Sequence, residues 1–393
     1  MLSMEHALAR VKKHYFSATH RSCQPSATIA RLDGVAGGTG ISEVTDITSL
    51  DRLGIPCFAA VRPRAARGST GIHSGKGIER DQAEVSALME AVERFSAEYR
   101  GEPMQCASYE EIGITRAVNP EDLILPRPLK MGEKVHWTEG WDFLDNEEVM
   151  LPSNAVYHPY TTLGMTEQLF RSDSTGLAAG NTREEAILYA LLEVIEWDAL
   201  SIASRTRCMG KRIAVDQPGT VQDLVDRFAS EGIHIHLWLL QGSTGIPTIT
   251  AAADDQVSRD PAMLVMGAGT HTCPEIAAVN ALLEVAQTRA TTLFGGNKDT
   301  GRAEMVGRIG YDRLKRLNHE WFTDAEEVPL SSVPDFSTGY IDDDVRRIIA
   351  EVGQVAERVC VCDLSKTAIP VVRVIVPGFE VSHSDRDRLK KTV

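Results

Sequence analysis

Pairs of acidic or amide side chains recur at one spacing in three parts of the chain. The pairs lie in the segments SALMEAVERF, YALLEVIEWD and NALLEVAQTR, at positions 86–95, 189–198 and 280–289. They are Glu90 with Glu93, Glu193 with Glu196, and Glu284 with Gln287. Residues three apart share one face of an α-helix. The pattern therefore predicts three helices that each present two oxygen-bearing side chains on one face.

The neighbours of these carboxylates are apolar on nearly every side, which is typical of buried helices. A buried carboxylate without a partner is costly and takes up a proton instead. Several of them in one place need shared positive charge, and Mg²⁺ together with phosphate is the commonest biological source. The alternative is a set of surface ion pairs, but only Glu90 has a basic residue, Arg94, four positions on. Three matching repeats favour a magnesium site.

Two further residues extend the pattern along the same helices. Ser86 stands one turn before Glu90, and Glu185 stands three turns before Glu196, within about 20° of it around the helix axis. Glu185 also follows Thr182 by three residues, which is the spacing of a capping box. The sequence leaves both roles of Glu185 open.

Long helices must carry these side chains. The first is predicted to begin near Asp81, with Glu84 as its capping-box partner. The second is predicted to run from Thr182 to about Arg205, and the third to begin near Thr272. Other predicted elements are helices at 221–229 and 342–352, strands within 41–63 and at 234–240, 358–364 and 370–377, and a mobile loop at 68–77. Helices and strands are interspersed, so the predicted fold class is α+β.

The glycine-rich segment GSTGIHSGKG at 68–77 does not match a Walker A loop. Lys76 is followed by Gly77, where that motif needs Ser or Thr. Two interpretations remain open: a plain loop, or a flexible loop that brings Lys76 close to phosphate or peptide.

The composition excludes several classes of protein. The chain has 393 residues and a formal charge of −14, without a cluster of Lys and Arg, which disfavours nucleic acid and anionic membranes as partners. No run of 18 apolar residues predicts a membrane span. Seven scattered cysteines predict a reduced, cytoplasmic protein. Cys360 and Cys362 are predicted to be buried thiols of one strand.

The three acidic segments resemble the three ATP- and Mg²⁺-binding motifs of the YcaO family. STGLAAGNT at 174–182 and DRLGIPCFAAVRP at 51–63 are also similar to segments of that family. The resemblance implies a YcaO-type fold, with β-sheets packed against long helices and ATP bound between the helices that carry the acidic motifs. It also implies that the γ-phosphate of ATP is transferred to a peptide amide oxygen, a nucleophile adds to the amide carbon, and phosphate leaves.

The resemblance assigns roles residue by residue. The Mg²⁺ ligands that it implies are Glu90, Glu93, Glu185, Glu193 and Glu196. The nucleotide contacts that it implies are Arg21, Thr28, Ser86, Asn181 and Arg289, and the catalytic residues are Glu284 and Gln287. One position departs from the family pattern, because many relatives have Arg, which contacts nucleotide, where this chain has Trp197.

The resemblance also suggests a branch of the family. Azoline-forming members usually end in Pro-x-Pro-x-Pro, whereas no proline follows Pro377 here. The chain is most similar to the stand-alone thioamide-forming branch, whose members are often paired with a TfuA protein that delivers sulfur. In methanogens, that branch makes thioglycine in methyl-coenzyme M reductase. An azoline-forming enzyme and a non-catalytic scaffold remain alternatives.

The predicted organisation has three parts. Residues 1–60 contribute to the nucleotide site, 61–385 form the catalytic domain, and 386–393 form a polar tail. The expected partners are a peptide or protein substrate, a TfuA-like protein and a second copy of the chain in a homodimer.

Overall fold

The structure, a computed structural model, describes residues 7–295, 306–383 and 385–390. Its helices are α1 (Pro25–Leu32), α2 (Ala36–Thr39), α3 (Arg80–Ala97), α4 (Tyr109–Ile112), α5 (Ser153–Val156), α6 (Arg183–Thr206), α7 (Thr220–Ser230), α8 (Pro274–Phe294), α9 (Tyr311–Leu317) and α10 (Ile341–Val352). Its strands are β1 (Glu43–Asp46), β2 (Cys57–Val61), β3 (Ile72–Lys76), β4 (Gln105–Ala107), β5 (Val135–Asp142), β6 (Glu147–Pro152), β7 (Leu177–Ala179), β8 (Lys211–Ala214), β9 (Ile233–Leu239), β10 (Thr248–Asp255), β11 (Met266–Thr270), β12 (Glu327–Pro329), β13 (Cys360–Asp363) and β14 (Val371–Ile375).

The described strands form three sheets. The first has the order β1-β2-β3, the second β11-β10-β9-β8-β12, and the third β4-β5-β13-β14-β7 with β6 paired to β5. The pairing is antiparallel throughout, apart from β8 and β12, which are parallel. This mixture of long helices and largely antiparallel sheets confirms the predicted α+β class.

Each acidic helix packs on a different sheet. Helix α3 covers β2 and β3, helix α6 covers β7 and β14, and helix α8 covers β10 and β11. The interfaces are built largely from alanine, valine and leucine, which lets each helix bury one face while its carboxylates remain on another. The three helix-on-sheet units therefore turn their acidic faces toward one another.

Two strand glycines allow the helices to come this close. A Cβ on Gly75 of β3 would lie 2.1 Å from the backbone nitrogen of Ala87 in α3. A Cβ on Gly267 of β11 would lie 2.4 Å from the carbonyl oxygen of Ala281 in α8. At these positions any side chain would push strand and helix apart.

Several sequence predictions are confirmed in outline. The second long helix begins after its N-cap, Thr182, whose side chain accepts a hydrogen bond from the amide of Glu185. The strand–turn–strand prediction for 41–63 corresponds to β1 and β2. Cys360 and Cys362 are both buried in β13. No described helix is long and apolar enough to cross a membrane.

Other predictions are wrong. Residues 72–76 form strand β3 instead of a loop, because β2 supplies its backbone partners and α3 covers one face. Helix α3 is capped by Glu79 and Gln82, not by Asp81 and Glu84.

Two predicted segments do not match the structure at their boundaries. Strand β2 runs across the predicted boundary at residue 60. In the predicted polar tail, Arg388 is buried and pairs with Asp173, while 391–393 lie outside the described residues.

We expect Gly75→Ala to lower the free energy of unfolding by about 1–3 kcal/mol, because the added methyl overpacks the α3–β3 contact. Urea unfolding followed by circular dichroism measures this change. Gly37→Ala is the matched control, since a Cβ there meets no atom within 4 Å. Equal stability of both variants would show that α3 does not depend on this close approach.

Candidate active site

One cavity of about 390 Å³ lies where α3, α6 and α8 meet. Every predicted site residue except Arg289 lines it: Arg21, Thr28, Ser86, Glu90, Glu93, Asn181, Glu185, Glu193, Glu196, Glu284 and Gln287. These residues come from distant parts of the chain, and the fold brings them together. Their individual roles as metal ligands or nucleotide contacts remain predictions.

Strand backbones hold three of the glutamates in place. Each accepts a hydrogen bond from a strand amide: Glu90 Oε2 from Ser74 (3.2 Å), Glu93 Oε2 from Ala179 (3.2 Å) and Glu284 Oε2 from Ala268 (3.4 Å). Each bond leaves the other carboxylate oxygen available for a second partner. The sheets therefore fix the position of the acids without neutralising their charge.

Two cations partly balance the acids. The Arg94 guanidinium lies 3.6 Å from both Glu90 and Glu93, and Lys76 Nζ lies 3.2 Å from Glu284 Oε2. Sequence reasoning placed Lys76 in a loop and left open whether that loop brings it close to phosphate or peptide. It treated Arg94 only as an ion-pair partner. The signals were present, because Arg94 is four residues after Glu90, and Lys76 is two residues after Ser74 along one face of β3.

Burial raises the pKa of the clustered acids above the ordinary glutamate value. It raises the pKa of Glu93 to about 8, although Arg94 opposes the shift, and Glu193 and Glu90 add to it. It raises the pKa of Glu196 to about 8, with repulsion from Glu284 as the next cause. It raises the pKa of Glu193 to about 7. The cavity thus holds more negative charge than its own cations can stabilise.

The donor set fits Mg²⁺ bound together with a triphosphate. Within 7–295, 306–383 and 385–390, no group of three His, Cys, Asp or Glu side chains is spaced to hold a metal ion by itself. Mg²⁺ usually takes one or two carboxylates and completes its shell with phosphate oxygens and water. The residues available for this are all oxygen donors: Glu90, Glu93, Glu193 and Glu196.

Glu185 stands in a different environment from these four. Its carboxylate accepts hydrogen bonds from Arg21 (3.2 Å), from the hydroxyl (2.5 Å) and amide (2.9 Å) of Ser22, and from Asn181 (3.1 Å). Its side chain does not complete a capping box with Thr182, although its amide is capped by that residue. Glu185 therefore anchors the N-terminal segment, residues 21–28, to α6. Its role as a metal ligand remains a prediction.

The N-terminal segment forms one wall of the cavity. The Arg21 guanidinium lies 3.7 Å over the ring of Tyr189, and Thr28 donates a hydrogen bond to Asn181 Oδ1 (2.8 Å). On the opposite side, the Gln287 amide donates to the carbonyl and the hydroxyl oxygen of Ser74, each at 2.7 Å. Polar groups thus surround the acidic cluster on two sides.

Arg289 lies away from the cavity, contrary to the prediction that it contacts nucleotide. It is buried and donates hydrogen bonds to Asp51 (2.7 Å) and Asp255 (3.0 Å). Residues two apart point in roughly opposite directions around a helix, so Arg289 faces away from the side that carries Gln287. The arginine is committed to a structural ion-pair network.

The cavity predicts a pH-dependent stability. Because the pKa of Glu93 and Glu196 is raised from 4.5 to about 8, their contribution is complete below about pH 4.5 and is lost as pH rises through about 8. We expect the thermal midpoint to fall by about 2–4 °C between pH 6 and 9, and Glu196→Gln to reduce that fall. Differential scanning calorimetry checks this.

Glu147→Gln, which changes an exposed acid on β6, should keep the wild-type slope. If Glu196→Gln also keeps it, Glu196 is not among the groups that titrate in this range.

Arg289 and Arg21 should behave oppositely when each is replaced by Met. Arg289→Met leaves Asp51 buried without its ion-pair partner and leaves Asp255 with Arg52 as its remaining one, so the free energy of unfolding should fall by about 3–5 kcal/mol. Arg21→Met should instead weaken Mg²⁺–nucleotide binding about tenfold, which corresponds to about 1.4 kcal/mol. Urea unfolding and calorimetric titration with a nonhydrolysable ATP analogue separate the two. Tenfold weaker binding by folded Arg289→Met would restore its predicted nucleotide role.

Known proteins are similar over nearly the whole chain. An uncharacterized protein of Methanothermobacter thermautotrophicus is 42% identical over 95% of this chain and 98% of its own length. A protein of Rhizobium leguminosarum bv. trifolii, named for the tfuA 3′ region, is 30% identical over 93% of this chain and 89% of its own. The structure of YcaO from Methanopyrus kandleri, bound with AMPPCP and Mg²⁺, superposes with a TM-score of 0.81 at 29% identity and covers 98% of both chains.

The family assignment rests on a sequence profile. The profile of YcaO cyclodehydratases, described as ATP- and Mg²⁺-binding, matches residues 74–380, which contain all three acidic segments. The fold, the convergence of those segments on one cavity and this match agree, and the chain therefore belongs to the YcaO family.

Proposed function

We propose that this protein activates a peptide-backbone amide by ATP-dependent O-phosphorylation and completes the reaction with sulfide to give a thioamide. The observation that carries the proposal is the single cavity, in which four half-buried glutamates from two helices meet Arg94, Lys76 and the polar N-terminal wall. An amide oxygen is a poor leaving group, so the chemistry needs phosphorylation first. Charge stabilisation and positioning are the main demands of that step.

The chain's own residues have distinct tasks in this proposal. Glu90, Glu93, Glu193 and Glu196 would hold magnesium ions, which when bound supply the positive charge that a triphosphate requires. Arg94 and Lys76 reduce the repulsion among these acids before the substrate binds. Arg21, Thr28 and Asn181 line the wall that would receive the nucleotide. Glu284 and Gln287, one turn apart on α8, face the reacting groups.

The proposed reaction has two steps, phosphorylation of the amide oxygen and substitution by hydrosulfide. The amide oxygen forms a bond to the γ-phosphorus of ATP while the bond to the bridging oxygen breaks, releasing ADP. Hydrosulfide then adds to the activated carbon. The carbon–oxygen bond breaks, phosphate leaves with the proton from sulfur, and the thioamide remains.

The sulfur chemistry is supported by one relative. The Rhizobium protein, 30% identical, is named for its place 3′ of tfuA, which supports a TfuA-type partner that delivers sulfide. We propose further that the substrate is a peptide or protein, with thioglycine of methyl-coenzyme M reductase as one candidate product. A homodimer in a reducing, cytoplasmic setting is part of the proposal, and the seven unpaired cysteines suit that setting.

Azoline formation is the second candidate. It is favoured by the description of the matching family profile, which names a cyclodehydratase. In that reaction the nucleophile is a Cys, Ser or Thr side chain of the peptide itself. A non-catalytic scaffold is disfavoured, because clustered acids with raised pKa are costly unless a cation is bound.

The proposal predicts peptide-dependent ATP turnover that needs Mg²⁺ and Glu90. Purified protein is incubated with ATP, hydrosulfide and candidate peptides, and the product is analysed by mass spectrometry. Exchange of oxygen for sulfur supports thioamide formation, and loss of water supports azoline formation. Glu90→Ala should reduce turnover at least about 100-fold, since metal ligands are needed in the transition state.

Glu84→Ala, a change on the same helix outside the cavity lining, is the matched control and should keep wild-type turnover. If wild-type protein binds neither Mg²⁺ nor ATP, the scaffold alternative is correct.

A further inference from the structure

Trp197, the position at which this chain departs from the family's arginine, lies one turn after Glu193 on α6. Its indole N–H donates a hydrogen bond to Glu193 Oε1 at 3.3 Å. An arginine here would bring a full charge to Glu193, whereas the indole brings a neutral donor. The indole therefore fixes the direction of the carboxylate without adding a positive charge.

The other side of the Trp197 ring supports the C-terminal segment, which we define as residues 379–383. The ring of His383 packs on the indole, with centroids 5.5 Å apart and planes tilted by 44°. The backbone amide of His383 donates to Ser201 Oγ at 3.0 Å, one turn further along α6. Trp197 thus contacts a predicted metal ligand and the C-terminal segment at once.

The C-terminal segment is tied to α6 by further contacts. The amide of Glu380 donates to Asp198 Oδ1 (2.9 Å), and the Glu380 carboxylate forms a two-bond ion pair with Arg205 (2.6 and 2.9 Å). Every contact uses the helix that carries Glu193 and Glu196. A movement of this face of α6 would therefore displace the C-terminal segment.

His383 also lies within electrostatic reach of the cavity. Partial burial against Trp197 and the charge of Arg386 lower the pKa of His383, and the carboxylate of Glu284 opposes them. Glu284 belongs to the cavity wall, on α8. The charge of Glu284 therefore acts on His383, the residue that packs on Trp197.

We propose that Trp197 is a positioning residue that couples the loading of the acidic cavity to the C-terminal segment. When Glu193 binds a metal ion, its second oxygen still accepts the indole N–H, which fixes the ring. The fixed ring in turn holds His383, and with it the C-terminal segment, against α6. This inference rests on the proposed function, because it requires that Mg²⁺ and nucleotide occupy the cavity.

Hydrogen exchange measured by mass spectrometry tests the coupling. We expect Mg²⁺ with AMPPCP to slow exchange of the amides in 380–383 about threefold or more in the wild-type protein, because local opening becomes less favourable. Trp197→Phe keeps a ring but removes the N–H, and Trp197→Arg restores the family's charge but removes the ring. Both variants should lose most of this added protection.

Calorimetric titration with Mg²⁺–AMPPCP accompanies each exchange experiment. Trp321→Phe is the matched control, since Trp321 packs against the same apolar cluster as Trp197. It should keep the ligand-induced protection. The inference is overturned if wild-type protein binds Mg²⁺–AMPPCP without a change at 380–383, or if Trp197→Phe retains the full change. Absence of binding by wild-type protein would instead refute the proposed function.

Discussion

The repulsion among carboxylates that share one half-buried cavity is the constraint on which the rest of this structure depends. Burial raises the pKa of Glu90, Glu93, Glu193 and Glu196, and repulsion from neighbouring glutamates raises it further for Glu93 and Glu196. Such a cluster would separate if its helices were free to move. It persists because the sheets beneath the helices are rigid, and because strand amides and Arg94 offset part of the charge.

The architecture meets this constraint by using one kind of unit three times. In each unit a helix lies on a sheet through small residues. In the units of α3 and α8 a strand amide reaches a glutamate on the same helix, whereas in the unit of α6 the amide of Ala179 in β7 reaches Glu93 on α3. Gly75 and Gly267 bring the helices of two units unusually close to their strands, which places the strand amides within 3.2 and 3.4 Å of the carboxylates. The repeated sequence motif therefore reflects the same helix-on-sheet packing in each unit as well as the same proposed chemical role.

Helical periodicity predicted which acids share a face of each helix. The need of buried carboxylates for shared positive charge, together with the family resemblance, predicted that these faces meet. It failed where contacts between distant segments decide the outcome. Arg289 was placed in the site by resemblance, yet its angular distance from Gln287 directs it to Asp51. Lys76 was placed in a loop because the segment is rich in glycine. Only pairing with β2 and coverage by α3 make that segment a strand.

The two walls of the cavity differ in how completely their polar groups are paired. This difference affects how nucleotide and magnesium can bind. Glu185 is saturated by Arg21, Ser22 and Asn181, so the N-terminal wall is already arranged. Glu93 and Glu196 both lie in the field of Glu193 and accept few hydrogen bonds. A triphosphate that approached alone would add to their repulsion, and a metal ion that approached alone would find too few ligands. The cavity is therefore suited to receive nucleotide and magnesium together, with each making the other's site complete.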